Sequence, residues 1–292
     1  MKVGYCGILG KPNVGKSLLL NRLLNTPISI VSPKPQTTRH KILGILSEND
    51  YQIIFLDTPG LLKPKYLLHE FMTKEIDESL ESSDIVLFVC EPFGPPDDLE
   101  NEIISKIKEK NKPTLIVINK IDLVKKDFIL PLIDTYNQMG FSEIYPISAL
   151  KNMGIEELKE GIVKHLKEGD PYYETDMISE KNERFFVSEF IREAIFNLYG
   201  EEIPYCTTVE VEEFKEREGG KDYIRATIYV EKPSQKKIII GKDGKALKKL
   251  GTMARKRIEA FLGKEVYLEL WVRVKENWRK DAQFIKKTIY GL

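Results

Sequence analysis

The chain has 292 residues, of which 42% are hydrophobic and 31% charged, so it is long enough for two folded domains and too apolar to be intrinsically disordered. Its formal net charge is zero, yet residues 236–292 contain sixteen Lys or Arg against six Asp or Glu, and the remainder is correspondingly acidic. The neutral total therefore does not exclude nucleic acid, and the basic C-terminal part predicts a polyanionic partner.

The N-terminal segment has the pattern of a strand, a glycine-rich loop and a helix. Apolar residues run over 3–9, and a leucine-rich stretch follows over 18–24. The residues between them match the phosphate-loop pattern G-x-x-x-x-G-K-[ST]: Gly10, Lys11, Pro12, Asn13, Val14, Gly15, Lys16 and Ser17. Glycines allow backbone N–H groups to surround a phosphate, and the positive end of the helix faces the same anion. We expect Lys16 to contact the β- and γ-phosphates and Ser17 to bind Mg²⁺.

The next segment alternates short apolar strands with amphipathic helices. After a proline-containing loop over 32–39, strands are predicted over 51–56, 85–90, 114–118 and 144–147, and helices over 98–110, 128–139 and 155–166. This alternation predicts an α/β domain over residues 1–169, a mostly parallel sheet with helices on both faces. Ligands of such sheets bind at the carboxyl ends of the strands. We therefore expect the polar tetrapeptides that follow these strands to form one site.

The C-terminal part has a different pattern. Residues 170–183 are predicted to form a linker, and residues 184–292 an α+β domain with a C-terminal extension. A helix over 183–199 precedes strands over 207–214 and 223–231, then two helical stretches and a last strand that begins near Val266. The order α-β-β-α-α-β predicts a sheet covered by helices on one face.

Guanine recognition is predicted for Asn119, Lys120, Ile121 and Asp122, which follow the strand over 114–118. The Asp122 carboxylate can accept from N1–H and the 2-amino group of guanine, whereas adenine would leave it unpaired. We expect Asn119 to meet the other edge of the base and the Lys120 stem to lie over its face. The backbone near Ser148 and Ala149 is predicted to donate to the guanine oxygen.

Asp57, Thr58, Pro59 and Gly60 are predicted to form the acidic element of the same site. Asp57 would hold Mg²⁺, through water, and the Gly60 N–H would meet the γ-phosphate. Either Thr37 or Thr38 can complete the Mg²⁺ shell; we favour Thr38, although one sequence does not separate the two.

Together these motifs resemble the translation-factor-related GTPases. The stretch Gln36-Thr37-Thr38-Arg39 and the appended domain resemble the Era family of bacterial ribosome-assembly GTPases over essentially the whole chain. The resemblance implies GTP hydrolysis to GDP with slow intrinsic turnover, because Leu61 stands where Ras-like enzymes carry a water-orienting glutamine. In related GTPases an asparagine at the position of Asn13 coordinates K⁺, and we predict the same here. The predicted catalytic residues are Asn13, Lys16, Thr38 and Gly60.

RNA binding is predicted for a G-x-x-G segment and the basic helix after it. Ile240, Gly241, Lys242, Asp243 and Gly244, followed by Lys245, Lys248 and Lys249, resemble the core of a type II KH domain. Such a loop clamps about four single-stranded nucleotides against its backbone. The Era resemblance further implies the 3′ end of 16S rRNA, and hence the 30S subunit, as the target.

Three other functions remain open from the sequence. A metabolic P-loop kinase would leave residues 119–122 unexplained, and an RNA chaperone would use GTP only structurally. A peripheral membrane GTPase is the third, because the basic face suits anionic lipid. Three widely spaced cysteines, no expected signal peptide and no bilayer-length apolar run favour a cytoplasmic protein with free thiols, which we expect to be a monomer.

Overall fold

Seven strands of the N-terminal half form one sheet in the computed structural model, which describes residues 1–291. The strands are β1 (Lys2–Leu9), β2 (Ile42–Ser47), β3 (Tyr51–Asp57), β4 (Ile85–Cys90), β5 (Thr114–Ile118), β6 (Ile144–Pro146) and β7 (Lys167–Glu168). Their order is β2-β3-β1-β4-β5-β6, parallel except for β2, while β7 pairs antiparallel with the start of β1. Every residue of β4 is buried, as expected for a central strand with helices on both faces.

Five helices accompany this sheet: α1 (Lys16–Leu23), α2 (Leu67–Ser82), α3 (Asp98–Lys110), α4 (Leu130–Gln138) and α5 (Ile155–His165). Asp97 caps α3 by accepting from the Glu100 N–H, and the Glu100 carboxylate accepts from the Asp97 N–H, so the helix start is well defined. The α/β class is confirmed. The edge strand β2, the two-residue strand β7 and helix α2 were not predicted.

The C-terminal half forms a second sheet of three strands, in the order β10-β9-β8. Its elements are α6 (Glu183–Leu198), α7 (Ile203–Cys206), β8 (Thr208–Lys215), β9 (Asp222–Val230), α8 (Pro233–Ile240), α9 (Lys245–Leu262), β10 (Val266–Val274), α10 (Ala282–Phe284) and a π-helix (Ile285–Tyr290). Strands β9 and β10 are parallel, and β8 is antiparallel to β9. The predicted order α-β-β-α-α-β is confirmed, with α7 and the last two helices added.

One face of this second sheet packs on helices. Alternation along β10 buries Val266 and Val272 and exposes Tyr267 and Trp271. The helices supply a continuous apolar layer from their buried faces: Val187, Phe190, Ile191 and Ile195 of α6, and Leu250, Ala254 and Ile258 of α9.

The chain divides into two units whose limits differ from the predicted domains. The first unit comprises residues 1–29, 38–64 and 69–180, and the second comprises 30–37, 65–68 and the residues from 181 onward. The predicted linker 170–183 therefore lies largely in the first unit. The reason is a set of hydrogen bonds to main-chain groups of this segment. The Gln52 side-chain Oε1 accepts from the N–H groups of Tyr172 and Tyr173, and the Ile45 N–H donates to the Ile178 carbonyl at 2.8 Å.

Residues 170–180 thus cover the edge strand β2, whose outer backbone groups would otherwise have no partner. The three cysteines are buried free thiols, as predicted. None of the helices within residues 1–291 combines the length and apolar character needed to cross a bilayer.

Candidate nucleotide and RNA sites

The phosphate loop follows β1 and is shaped by backbone angles that few residue types adopt. Gly10 and Gly15 have φ of +148° and +99°, and Asn13 has φ of +67°. A Cβ on Gly10 would lie 2.2 Å from the Val89 carbonyl oxygen, so only glycine fits there. The loop itself covers residues 10–15, and Lys16 and Ser17 form the start of α1.

Lys16 is buried beneath this loop. Its Nζ donates to the Gly10 carbonyl at 2.9 Å and to the Lys11 carbonyl at 2.8 Å. Burial lowers the pKa of Lys16 to about 8, and the nearby Asp57 opposes the shift. A buried ammonium held by two carbonyls is ready to bind a phosphate, which offers the full charge that neutral carbonyls lack.

Asp57, at the end of β3, is wholly buried, and burial raises its pKa. Its Oδ2 accepts from Ser29 Oγ at 3.1 Å, whereas Oδ1 has no hydrogen-bond partner among the described residues. The Ser17 and Thr38 hydroxyl oxygens lie 2.9 Å apart in the same unit, and Ser17 also interacts with the Asp57 carboxylate. Oxygen donors of this kind fit Mg²⁺, which proteins hold with one or two carboxylates plus substrate phosphates.

The turn after Asp57 packs against the phosphate loop. A Cβ on Gly60 would lie 2.6 Å from the Pro12 Cα, and the Leu61 N–H donates to the Gly10 carbonyl at 3.2 Å. Thr58 Oγ1 donates to the Ile8 carbonyl, which fastens the turn to β1. The Leu61 side chain is buried in the apolar cluster with residues of α2 and α3, so it lacks both the chemistry and the position to orient a water.

Two of the groups predicted to contact guanine have hydrogen-bond partners within the protein. Asn119 is buried and donates from Nδ2 to the Val14 carbonyl at 2.8 Å, while its Oδ1 accepts from the Ala149 N–H at 3.0 Å. The Ala149 N–H, predicted to donate to guanine, thus donates to a side chain. Asn119, predicted to meet the base edge, joins the phosphate loop to the loop after β6 through these two hydrogen bonds. The physical reason is that both groups are buried and need partners.

Asp122 and Lys120, the other two side chains predicted to contact guanine, lie at the short turn after β5. Asp122 is exposed in the short 3₁₀ turn Ile121–Leu123 and accepts a hydrogen bond from Ser148 Oγ. Lys120 has φ of +65°, and its Nζ donates to the Asn13 carbonyl at 2.6 Å and pairs with Glu91. The lysine stem therefore spans from β5 to the phosphate loop.

The G-x-x-G segment connects α8 and α9 in the second unit. Gly241 and Gly244 both have φ of +71°, and a Cβ on Gly241 would lie 2.5 Å from the Ala246 Cβ. Asp243 also adopts a positive φ, of +53°. The loop is thus a tight backbone turn with its own geometric demand for glycine. Four lysines of the predicted RNA site are exposed here: Lys242, Lys245, Lys248 and Lys249.

Strand β10 borders the same region, since α8 and α9 both pack on it. Within the described residues it pairs only with β9, so its outer backbone groups have no strand partner. Exposed aromatic rings can stack on the bases of single-stranded nucleic acid. This edge was not predicted, because strand order is not visible in the sequence.

Two family models match this chain: the 50S ribosome-binding GTPase model over residues 5–120 and the KH domain model over residues 202–279. GTPase Era of Clostridium botulinum (strain Hall) is 46% identical over 290 residues, which cover 99% of this chain and 98% of that protein. GTPase Era of Lactobacillus helveticus is 46% identical over 292 residues, covering 99% and 96%. The chain belongs to the Era family of GTPases.

Solved Era structures agree with this assignment. Era in complex with MgGDPNP and nucleotides 1506–1542 of 16S ribosomal RNA has a TM-score of 0.96, with 42% identity and full coverage of both chains. A point variant of Aquifex aeolicus Era bound to GDP·AlF₄⁻ gives the same values. The predicted family and fold class are therefore confirmed.

Several hydrogen-bond and ion-pair partners of the predicted site residues were missed from the sequence. Ser29 donates to Asp57, and Asn21 Oδ1 accepts from the Ser29 N–H at 2.9 Å, which orients that serine. Lys11 forms ion pairs with Asp97 and Glu100 at 2.9 and 3.1 Å, tying the phosphate loop to the start of α3. No sequence motif marks these partners; only the capping pattern at 97–100 was available as a signal.

Proposed function

We propose that this chain is a GTP-hydrolysing molecular switch whose KH domain binds single-stranded ribosomal RNA during maturation of the small ribosomal subunit. The observation that carries the nucleotide half is the oxygen set at Asp57: a buried carboxylate oxygen without a partner, beside the Ser17 and Thr38 hydroxyls, which are 2.9 Å apart. In the reaction, water attacks the γ-phosphorus, and the bond to the leaving GDP oxygen breaks to give GDP and phosphate.

The chain's own groups bind and orient GTP in this proposal. Lys16 exchanges its two carbonyl partners for phosphate oxygens, and the Gly60 N–H donates to the γ-phosphate. Ser17 and Thr38 would hold Mg²⁺ through their hydroxyls, and Asp57 would do so through water. The charge that such an ion supplies would offset the negative charge of the β- and γ-phosphates. Because Leu61 is buried in the core, no side chain at that position orients the attacking water, and intrinsic turnover is slow.

Asn13 is proposed to supply the missing electrostatic stabilisation by coordinating K⁺. Its side chain is exposed on the phosphate loop, while its carbonyl is held by Lys120. A monovalent cation there would stabilise charge as an arginine does in other GTPases. Hydrolysis should therefore be faster in KCl than in NaCl of equal concentration, and Asn13→Asp should change that ratio. Equal rates in the two salts would refute the role.

Guanine selection by Asp122 is tested by a change of base. Asp122→Asn replaces an acceptor pair by one acceptor and one donor, so it should favour xanthosine triphosphate, whose C2 carries oxygen in place of the amino group. Competition binding with both nucleotides measures the preference. Asp127→Asn, on a neighbouring exposed aspartate, is the matched control. Unchanged GTP preference in Asp122→Asn would overturn the base assignment.

The RNA half rests on the G-x-x-G turn with its four exposed lysines, and on the solved relative that holds a 16S rRNA segment. We propose the corresponding 3′ end of 16S rRNA, within the 30S subunit, as the target, and a cytoplasmic monomer as the working form. Crosslinking and sequencing of bound RNA, in GTP-locked and GDP forms, tests this. Recovery of no RNA in either form would refute it, and recovery of lipid-bound protein instead would favour peripheral membrane attachment.

A further inference from the structure

The second unit contains a short segment from the N-terminal half, residues 30–37, which we call the Thr37 segment. Helix α6 holds this segment at both its start and its middle. Glu193 Oε1 accepts from the Val31 N–H at 3.2 Å, and the Lys34 ammonium donates to carbonyl oxygens at the C-terminal end of α6. An ammonium at a helix C-terminus is also favoured by the helix dipole.

Arg192, on the same helix, holds the end of the segment. Its Nη2 donates to the Thr37 carbonyl at 2.9 Å, and its Nη1 donates to Glu189 Oε1 at 2.6 Å. The Arg192 and Glu189 side chains are only 3% and 2% exposed. A buried ion pair of this kind gains little stability over apolar packing, because both charges lose their hydration. Stability alone therefore does not explain why the Arg192 guanidinium is directed at the Thr37 carbonyl.

That carbonyl belongs to the peptide bond between Thr37 and Thr38. Because the peptide unit is planar, holding the Thr37 carbonyl oxygen also positions the Thr38 nitrogen and Cα in the same plane. The residue before, Gln36, adopts a left-handed φ of +61°, which non-glycine residues keep only when their surroundings enforce it. The Thr38 hydroxyl at the other side of this peptide lies 2.9 Å from the Ser17 hydroxyl.

We propose that Arg192 is a positioning residue for GTP binding: by holding the Thr37 carbonyl, it sets the Thr38 hydroxyl where the Mg²⁺ of a nucleoside triphosphate needs it. This inference rests on the proposed assignment of Thr38 as a Mg²⁺ ligand. Threonine at this position serves the metal only when a γ-phosphate is present. Arg192 should therefore favour the triphosphate state specifically and leave diphosphate binding alone.

The test uses the full chain and nucleotide affinities measured by fluorescence, with a non-hydrolysable GTP analogue and GDP, both with Mg²⁺. The main variant combines Arg192→Met with Glu189→Gln, so that no isolated charge is left buried. Arg192→Lys keeps a cation with N–H donors but loses the planar guanidinium that reaches two acceptors. Arg184→Met is the matched control, since Arg184 is exposed on the same helix. Thermal unfolding of each variant reports whether it folds.

The double variant should bind the GTP analogue about 10-fold more weakly than the parent, which is typical for the loss of one hydrogen bond to a charged group. Its affinity for GDP should stay within about 2-fold of the parent's. Arg192→Lys should restore part of the loss, and Arg184→Met should change neither affinity. In a Thr38→Ala background the double variant should cause no further loss, because both changes remove the same contribution.

Equal weakening of the GTP analogue and GDP would overturn the inference, since it would show a general structural role for Arg192. Additive losses with Thr38→Ala would also overturn it. If Thr38→Ala itself weakened both nucleotides equally, the assignment of Thr38 would fail first. If Thr38→Ala were selective for the GTP analogue while the Arg192 variants were not, only the positioning role would fail. Should the double variant not fold, Arg192→Lys alone carries the comparison.

Discussion

Asn119→Ala distinguishes a structural bridge from a base contact. In the structure the Asn119 amide joins two buried main-chain groups, the Val14 carbonyl and the Ala149 N–H, at 2.8 and 3.0 Å. Truncation to alanine leaves both main-chain groups without a hydrogen-bond partner. Each buried polar group left unpaired costs about 1–3 kcal/mol of folding stability. We therefore expect the first unit to lose about 2–6 kcal/mol of stability before any nucleotide is added.

The assay must report on the first unit alone. Both tryptophans, Trp271 and Trp278, lie in the second unit, so tryptophan fluorescence would follow the wrong transition. Hydrogen exchange by mass spectrometry, on peptides from β1 and β5 of the nucleotide-free protein, measures the relevant opening free energy. Asn137→Ala is the matched control, because Asn137 is an exposed asparagine of the same unit.

Faster exchange in Asn119→Ala, with Asn137→Ala unchanged, is the expected result. Unchanged exchange together with a large loss of GTP affinity would refute the reasoning. It would show that Asn119 acts on the base and that its contacts to the two loops contribute nothing to stability.

Three further predictions concern the phosphate and RNA sites. Gly60→Ala brings a Cβ within 2.6 Å of the Pro12 Cα, so the turn must shift, and single-turnover hydrolysis should fall more than about 10-fold while GDP binding persists. GDP affinity should decrease as pH rises through about 8, since Lys16, with its lowered pKa, then loses its proton in the free protein. Lys248→Gln with Lys249→Gln should weaken RNA binding and reduce the salt slope by about 1.4.

Each prediction has an outcome that contradicts it. Parental hydrolysis by Gly60→Ala would show that the turn does not need close contact with the phosphate loop. A GDP affinity that is constant from pH 7 to 9 would place the Lys16 pKa higher than its burial implies. An unchanged salt slope after both lysine substitutions would remove that part of α9 from the RNA site.

The lowered pKa of Lys16 also affects the free energy of unfolding. Burial lowers the pKa of Lys16 to about 8, below its ordinary value in the unfolded chain. Between those two values the unfolded state keeps a proton that the folded state has lost, so folding stability of the nucleotide-free protein should rise with pH. Bound phosphate should oppose this trend, because it favours the charged ammonium.

Local features of the sequence were sufficient to predict three tight turns of the backbone. These are the phosphate loop, the turn after β3 and the G-x-x-G turn. Each depends on backbone angles or apolar periodicity within a dozen residues, so the residues that determine it are close together in the sequence. Gly10, Gly15 and Gly241 stand where the backbone is left-handed or tightly contacted, so their residue type alone predicts their role.

Partners of buried polar groups were decided only by the tertiary structure. Asn119 forms hydrogen bonds with the main chain of Val14 and Ala149, and Asp57 accepts a hydrogen bond from Ser29. The partners in each case lie far apart in the chain. Burial makes a partner necessary, but it does not specify which residue supplies it.

The same reason explains the division of the chain. Composition indicated a boundary near residue 170, because a Gly-Asp-Pro stretch there ends the helical pattern. The structure instead places the Thr37 segment with the second unit, where Arg192 holds the Thr37 carbonyl, and thereby separates Thr37 from Thr38. Two adjacent threonines are equivalent in a sequence pattern. In the structure the Thr37 carbonyl contacts α6, whereas the Thr38 hydroxyl lies beside the Ser17 hydroxyl.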